Sequence, residues 1–117
     1  MNVNSIKSTN SNNKIKKIYT IMTMEKLKVD KNDFPKFGNS RIVGWYQYKE
    51  DAFKVVKENI CDINETIYDY VLIEEIEEGL NNPALNRWFF KYNNDTKTYI
   101  QIDEPKKYKH YCGFTIG

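Results

Sequence analysis

Residues 49–63, which read KEDAFKVVKENICDI, are the only stretch of the chain with a clear helical pattern. The apolar positions recur at steps of three and four, as on one side of a helix, and are Ala52, Phe53, Val56, Ile60 and Ile63. Glu50 and Asp51 suit the positive end of the helix dipole, but no Ser, Thr, Asp or Asn caps the start. Because a single helix covers only one face of a sheet, this segment limits the fold to two layers.

The segments before and after the helix are rich in the β-branched and aromatic residues that favour strands. They cover residues 14–28, 41–48, 68–76, 87–92 and 98–102, and a brief apolar piece follows at 114–116. The order β-β-α-β-β-β predicts an α+β fold. We expect an antiparallel sheet of about five strands with one main helix packed on one face.

The second predicted strand, RIVGWYQY at residues 41–48, carries large side chains on both faces. Strict alternation places Arg41, Val43, Trp45 and Gln47 on one face and Ile42, Gly44, Tyr46 and Tyr48 on the other. A glycine inside a strand indicates either a bulge or a close approach to the backbone.

The composition restricts the classes of protein to which the chain can belong. The chain has 117 residues, a net charge of +2, 40% hydrophobic and 15% aromatic residues. We predict one domain over residues 14–117, preceded by a polar lead at 1–13 that we expect to be disordered. The small net charge argues against a surface for extended nucleic acid, and no apolar window is long enough to cross a membrane.

Cysteine usage indicates a reducing compartment. Cys61 and Cys112 lie too far apart for a C-x-x-C motif and are too few for a disulfide framework. The first residues lack the pattern of a secretory signal, so we expect a cytoplasmic protein. The sixteen lysines, fourteen asparagines and thirteen isoleucines are typical of an A+T-rich genome, which makes the two arginines conspicuous.

No catalytic set stands out in the sequence. The single histidine, His110, lies in a basic and aromatic run at residues 106–111, where a surface role is the simplest interpretation. No glycine-rich phosphate loop and no nucleophile elbow is present. We interpret the acidic residues at 74–78 as a solvated strand edge, although Glu75 and Glu77 with His110 would suit a small hydrolase. We therefore predict a protein that is not an enzyme and has no cofactor or metal.

Two clusters combine an arginine with aromatic residues. Guanidinium groups bind phosphate, and Trp or Tyr rings stack on nucleobases. The predicted site for a small nucleotide-like ligand consists of Arg41, Trp45, Tyr46, Asn86, Arg87 and Trp88. The alternative is that these aromatic residues belong to the core or to a protein interface.

Apolar side chains lie on both faces of the predicted sheet, but one helix covers only one of them. The other face must therefore also be buried against something. A homo-oligomer is the simplest solution, and the alternative is that the loops and residues 105–117 fold over the open face. The positions of Trp45 and Trp88 discriminate between two functions. Lining a concavity favours ligand binding, whereas exposure on a flat patch favours a protein partner.

A longer pattern resembles a known group of proteins. It comprises Arg41, Val43 to Tyr46, Asn59, Asp62, Ile63, Tyr68, Tyr70, Val71, Ile73 to Leu80, Trp88, Phe89, Glu104, Pro105, Gly113, Phe114, Ile116 and Gly117. Over roughly residues 15–117 the chain is similar to small, uncharacterised proteins of low-GC bacteria, their mobile elements and phages. The resemblance implies a genomic setting, with the host cytoplasm as the location of a phage product, but no catalytic residue.

Small, non-enzymatic phage proteins often act by binding, either to nucleotide immune signals or to a host protein. The resemblance therefore implies an anti-defence protein that sequesters a nucleotide-derived signal. The alternative is a protein–protein inhibitor or adaptor that uses an exposed aromatic sheet face.

Overall fold

The computed structural model describes residues 16–26, 28–29, 31–32, 35–36, 38–80 and 82–105. Several predictions fall outside these residues: the disordered lead, the roles of His110 and Cys112, and the last apolar piece at 114–116. The main elements are the strands β1 (Lys17–Met24), β2 (Lys28–Val29), β3 (Pro35–Lys36) and β4 (Ser40–Tyr46), the helix α1 (Lys49–Lys57), and the strands β5 (Tyr70–Glu77), β6 (Asn86–Asn93) and β7 (Thr98–Ile102).

The predicted α+β architecture is confirmed. Five strands form an antiparallel sheet in the order β4-β1-β5-β6-β7, and α1 packs on one face of it. The short strands β2 and β3 pair with each other within the connection between β1 and β4. The chain order is thus β-β-α-β-β-β for the main sheet, and β5 occupies the centre.

Each face of the sheet has its own apolar cluster. The cluster on the helix side consists of Ile21, Ala52, Val56, Ile63, Val71, Ile73, Phe90 and Tyr99. The cluster on the opposite face consists of Met22, Met24, Leu72 and Phe89, with Tyr70 and Ile102 packed against it. Leu72 is 0% exposed and Phe89 is 1% exposed, so little of this second cluster is left for a partner.

The helix is shorter than the sequence pattern predicts. It ends at Lys57, and the chain then turns through a left-handed residue, Asn59, into a 3-10 turn at Ile60–Asp62. Ile60 consequently leaves the apolar stripe and is 37% exposed. The expected weak start is confirmed, because Tyr48 at the N-cap makes no side-chain capping bond. No helix in the described part of the chain is long and apolar enough to cross a membrane.

Strand β4 contains the bulge that Gly44 indicated. Ile21 pairs with Gly44, but the next residue, Met22, pairs with Ile42, so the register shifts by one residue. Strict alternation along β4 is therefore wrong. Because of the extra residue, Trp45 shares a face with Ile42, while Arg41 and Tyr46 lie on the helix side.

The interpretation of residues 74–78 as a solvated edge is also wrong for its first two glutamates. Glu74 is 2% exposed and Glu75 is 6% exposed. The physical reason is the strand order: β5 pairs with β1 on one side and β6 on the other, so it has no free edge here.

Candidate functional site

A cavity of about 330 Å³ lies on the helix side of the sheet, where α1 begins. Its lining residues come from β1, β5, β6 and the start of α1, and are Tyr19, Gln47, Tyr48, Lys49, Glu50, Glu75, Asn86 and Trp88. Four separate segments therefore meet here. We call this cavity the Trp88 pocket.

The buried carboxylate of Glu75 is the best-connected group in the Trp88 pocket. The Tyr19 hydroxyl donates to its Oε2 at 2.9 Å, and Asn86 Nδ2 donates to its Oε1 at 2.6 Å. Lys17 Nζ lies 3.4 Å from Oε2. The bond from Asn86, with those from Tyr19 and Lys17, outweighs burial and holds the pKa of Glu75 below its ordinary value. Glu75 is thus a charged acceptor at neutral pH.

Tyr19 is kept as a donor toward this carboxylate. Burial raises the pKa of its hydroxyl, and the bond to the negative Glu75 raises it further. The proton therefore stays on Tyr19 at neutral pH, and the Tyr19–Glu75 bond keeps its direction.

Trp88 forms an aromatic wall of the pocket. Its ring meets Phe53 edge-on at 5.4 Å between centroids and Tyr19 at 6.2 Å in a tilted arrangement. The ammonium group of Lys49 lies 5.4 Å from the centroid of the Trp88 ring, within the range of a cation–π contact. These neighbours restrict the indole while the ring remains only partly buried.

The start of α1 forms the rim of the pocket. Tyr48, Lys49 and Glu50 line it, and the first turn has no side-chain cap. Uncapped amides and the helix dipole favour an anion at such a position. The pocket therefore combines an aromatic surface, a cation and a helix start with an acidic acceptor.

The structure brings together only part of the predicted ligand set. Asn86 and Trp88 line the Trp88 pocket, and Tyr46 pairs with Tyr19 beside it. Arg87 stands between Asn86 and Trp88 in the sequence and therefore lies on the other face of the sheet.

The remaining predicted residues lie apart from the pocket. Arg41 donates from Nη1 to Glu65 Oε2 at 3.1 Å, near the opposite end of β4. Trp45 lies on the face away from the helix and is 61% exposed. Arg87 Nε lies 3.4 Å from Glu74 Oε2. The guanidinium carbon of Arg87 lies 5.4 Å from the centroid of the Phe89 ring.

The predicted ligand set lacks the polar residues that complete the pocket, and Glu75 alone among them is a candidate from the sequence, as part of a small hydrolase. For Glu75 a signal existed, because alternation along β5 places it in one row with Val71 and Ile73, which face the helix. For Lys49 the signal was its position at the first residue of the helix. Tyr19 carried no such signal, because its role depends on which strand lies next to β1.

Comparisons with known proteins identify no relative. No protein-family model matches the chain, and no curated protein or solved structure is significantly similar to it. The resemblance to small proteins of low-GC bacteria and phages thus stays a prediction. Among the residues that the structure describes, no group of three or more His, Cys, Asp or Glu side chains is arranged to hold a metal ion.

Proposed function

We propose that the protein is a non-catalytic binding protein that holds a small nucleotide-derived ligand in the Trp88 pocket. The observation that carries this proposal is the meeting of an aromatic ring, a cation and a buried carboxylate in one cavity: Trp88, Lys49 and Glu75. Small-molecule pockets measure about 300 to 1,000 Å³. The volume of about 330 Å³ therefore suits one base with its sugar or phosphate.

Each part of a nucleotide has a counterpart in the pocket. The Trp88 ring supplies a surface on which a base stacks. A carboxylate accepts about four hydrogen bonds, and Tyr19, Asn86 and Lys17 take up three positions on Glu75. The fourth acceptor position of the Glu75 carboxylate suits the exocyclic amine of a base.

The charge at the rim indicates what kind of phosphate fits. Lys49 and the start of α1 attract an anion, whereas Glu50 at the same rim repels one. A phosphodiester carries one negative charge per phosphate and suits this balance better than a terminal triphosphate. We therefore propose cyclic nucleotides and cyclic oligonucleotides as the ligand class, with one nucleotide unit of the larger compounds in the pocket. In a phage or mobile element, sequestration of such a signal would be an anti-defence function.

Calorimetry with cyclic mono-, di- and trinucleotides and cyclic ADP-ribose isomers tests the proposal. We expect heat with at least one compound, and at least tenfold weaker binding in Lys49→Ala. The matched control is Lys54→Ala, which removes an exposed lysine from the same helix away from the pocket. Absence of heat with every compound, at protein well above micromolar concentration, would remove the proposal.

The two tryptophans provide a second comparison in the same assay. Trp88→Leu keeps an apolar side chain against Phe53 but loses the stacking surface, so we expect at least tenfold weaker binding. Trp45 lies on the other face of the sheet, and Trp45→Leu should bind as the wild type does. Equal losses in the two variants would contradict the Trp88 pocket as the site.

Trp45 favours a second candidate function. It is 61% exposed beside Ile42, which is 39% exposed, on an outer strand of the sheet. Such a surface suits a protein–protein inhibitor or adaptor. A stable complex from host lysate that Trp45→Lys abolishes, together with no ligand binding, would favour this candidate over the first.

A further inference from the structure

Strand β4 is an outer strand with large exposed side chains. In the described part of the chain, its only strand neighbour is β1. Trp45 is 61% exposed, Ile42 39% and Tyr46 36%. Outer strands are templates for pairing with another chain, and natural proteins protect them with lysine or other charged residues, with proline or with a bulge. Between Ser40 and Tyr46 there is neither lysine nor proline, and Arg41 and the bulge are the features of this kind in β4.

We propose that β4 pairs with β4 of a second copy of this chain, antiparallel and about a two-fold axis between Val43 and Gly44. The pairs in this register are Arg41 with the partner's Tyr46, Ile42 with the partner's Trp45, and Val43 with the partner's Gly44. The sheets of two copies then join into one of ten main strands. The proposal is independent of ligand binding in the Trp88 pocket.

The bulge selects this register. Directly opposed residues in an antiparallel pair must lie on the same face. In a regular strand, residues 42 and 45 would point to opposite faces, but the extra residue in β4 brings Ile42 and Trp45 to one face. Arg41 and Tyr46 share the other face, as do Val43 and Gly44. Every pair from 41 to 46 therefore matches faces.

This register also avoids opposing like charges. Arg41 is the only ionised side chain in β4, so pairing that set Arg41 against itself would oppose like charges. In the proposed register each Arg41 instead meets the aromatic ring of the partner's Tyr46, to which a guanidinium is attracted. The pattern is thus self-complementary, which favours a second copy over an unrelated protein as the occupant.

Space and area are adequate for a modest interface. A Cβ built on Gly44 would meet nothing within 4 Å, so room exists there for the partner's Val43. Trp45 exposes about 150 Å², given 61% of about 250 Å², and pairing at the edge covers part of this area. The pairing of two seven-residue strands belongs to the small interface class, below about 1,200 Å² in total. We therefore expect a micromolar dimer.

Sedimentation equilibrium of the full chain without ligand tests the pairing. We expect a monomer–dimer equilibrium. The dissociation constant of the dimer should be at least tenfold higher in Trp45→Lys than in the wild type. The matched control is Leu80→Lys, which makes the same kind of change at a residue that is 87% exposed outside the sheet. A monomer at every concentration up to several hundred micromolar overturns the proposal. A dimer that Trp45→Lys leaves unchanged does so as well.

Disulfide trapping tests the register. In a background of Cys61→Ser and Cys112→Ser, Ile42→Cys and Trp45→Cys variants are prepared separately and then mixed under oxidising conditions. We expect cross-linked dimers mainly in the mixture, because residue 42 faces the partner's residue 45. Cross-linking of either variant with itself to the same extent overturns the register. Since no ligand is present, these outcomes are distinct from those of the calorimetry.

Discussion

Glu74 and Glu75 are neighbours in the central strand, and both are buried, but their surroundings differ. Glu74 faces away from the helix and forms an ion pair with Arg87, at 3.4 Å between Oε2 and Nε. Glu75 faces the helix and accepts hydrogen bonds from two neutral donors, Tyr19 and Asn86, at the floor of an open pocket.

This difference separates a structural carboxylate from a candidate functional one. The charge of Glu74 is compensated by a guanidinium whose side chain is itself only 19% exposed. Glu75 relies mainly on neutral donors and on the more exposed Lys17, and it lines the Trp88 pocket. We therefore expect the Glu74 side to govern stability and the Glu75 side to govern binding.

The largest effect should come from Arg87→Ala. This substitution removes the guanidinium that lies 3.4 Å from the buried Glu74 carboxylate, and the expected loss is about 3 kcal/mol in the free energy of unfolding. Urea denaturation at neutral pH measures it. Lys91→Ala, a change at an exposed lysine on the same face of β6, should stay within about 0.5 kcal/mol of the wild type. Equal losses in the two variants would mean that Glu74 does not depend on Arg87.

A smaller loss of stability is expected for Glu75→Gln, about 1 to 2 kcal/mol, because the amide carries no charge and offers one acceptor oxygen where the carboxylate offers two to Asn86 and Tyr19. The pKa of Glu75 is lowered in the folded protein, so its contribution is present above the ordinary value of 4.5. It is lost as the pH falls through the lowered pKa.

Urea denaturation of the wild type and Glu75→Gln over a pH series measures this dependence. The difference in unfolding free energy should be constant at neutral pH and shrink once the pH falls below 4.5. A difference that grew as the pH fell would contradict the direction of the pKa shift. Glu50→Gln, at an exposed position on the pocket rim, serves as the control with little effect on stability.

The smallest expected effect concerns which hydrogen bond lowers the pKa of Glu75 more. The bond from Asn86 contributes more than the bond from Tyr19 to lowering the pKa of Glu75. We expect Asn86→Ala to raise that pKa more than Tyr19→Phe does, as followed by NMR titration of the Glu75 carboxyl carbon. The reverse order would indicate that Tyr19 is the main partner of the carboxylate.

Much of the fold was predictable because it depends on local periodicity. The stripe at Ala52 and Val56 indicated the helix, and the runs of β-branched and aromatic residues indicated the strands. Gly44 indicated the bulge, although not its consequence for the face on which Trp45 lies. The helix end was not predictable from the stripe, since Ile60 continues the spacing while Asn59 turns the chain away.

The candidate site was predicted only in part. Asn86 and Trp88 lie two residues apart on one strand, so alternation alone brings them to one face. Arg41 and Arg87 were chosen for their chemistry, but their positions depend on the bulge and on strand pairing. Lys49, Tyr19 and Glu75 come from three other elements, and only the packing of those elements brings them together.

By itself, the amino-acid sequence determined the order of the elements and the single helix, because both follow from the spacing of apolar residues along a few turns. Only the tertiary structure decided that β5 lies at the centre of the sheet, and hence that Glu74 and Glu75 are buried. The reason is that burial of a strand residue depends on what pairs and packs beside it, and those neighbours are distant in the chain.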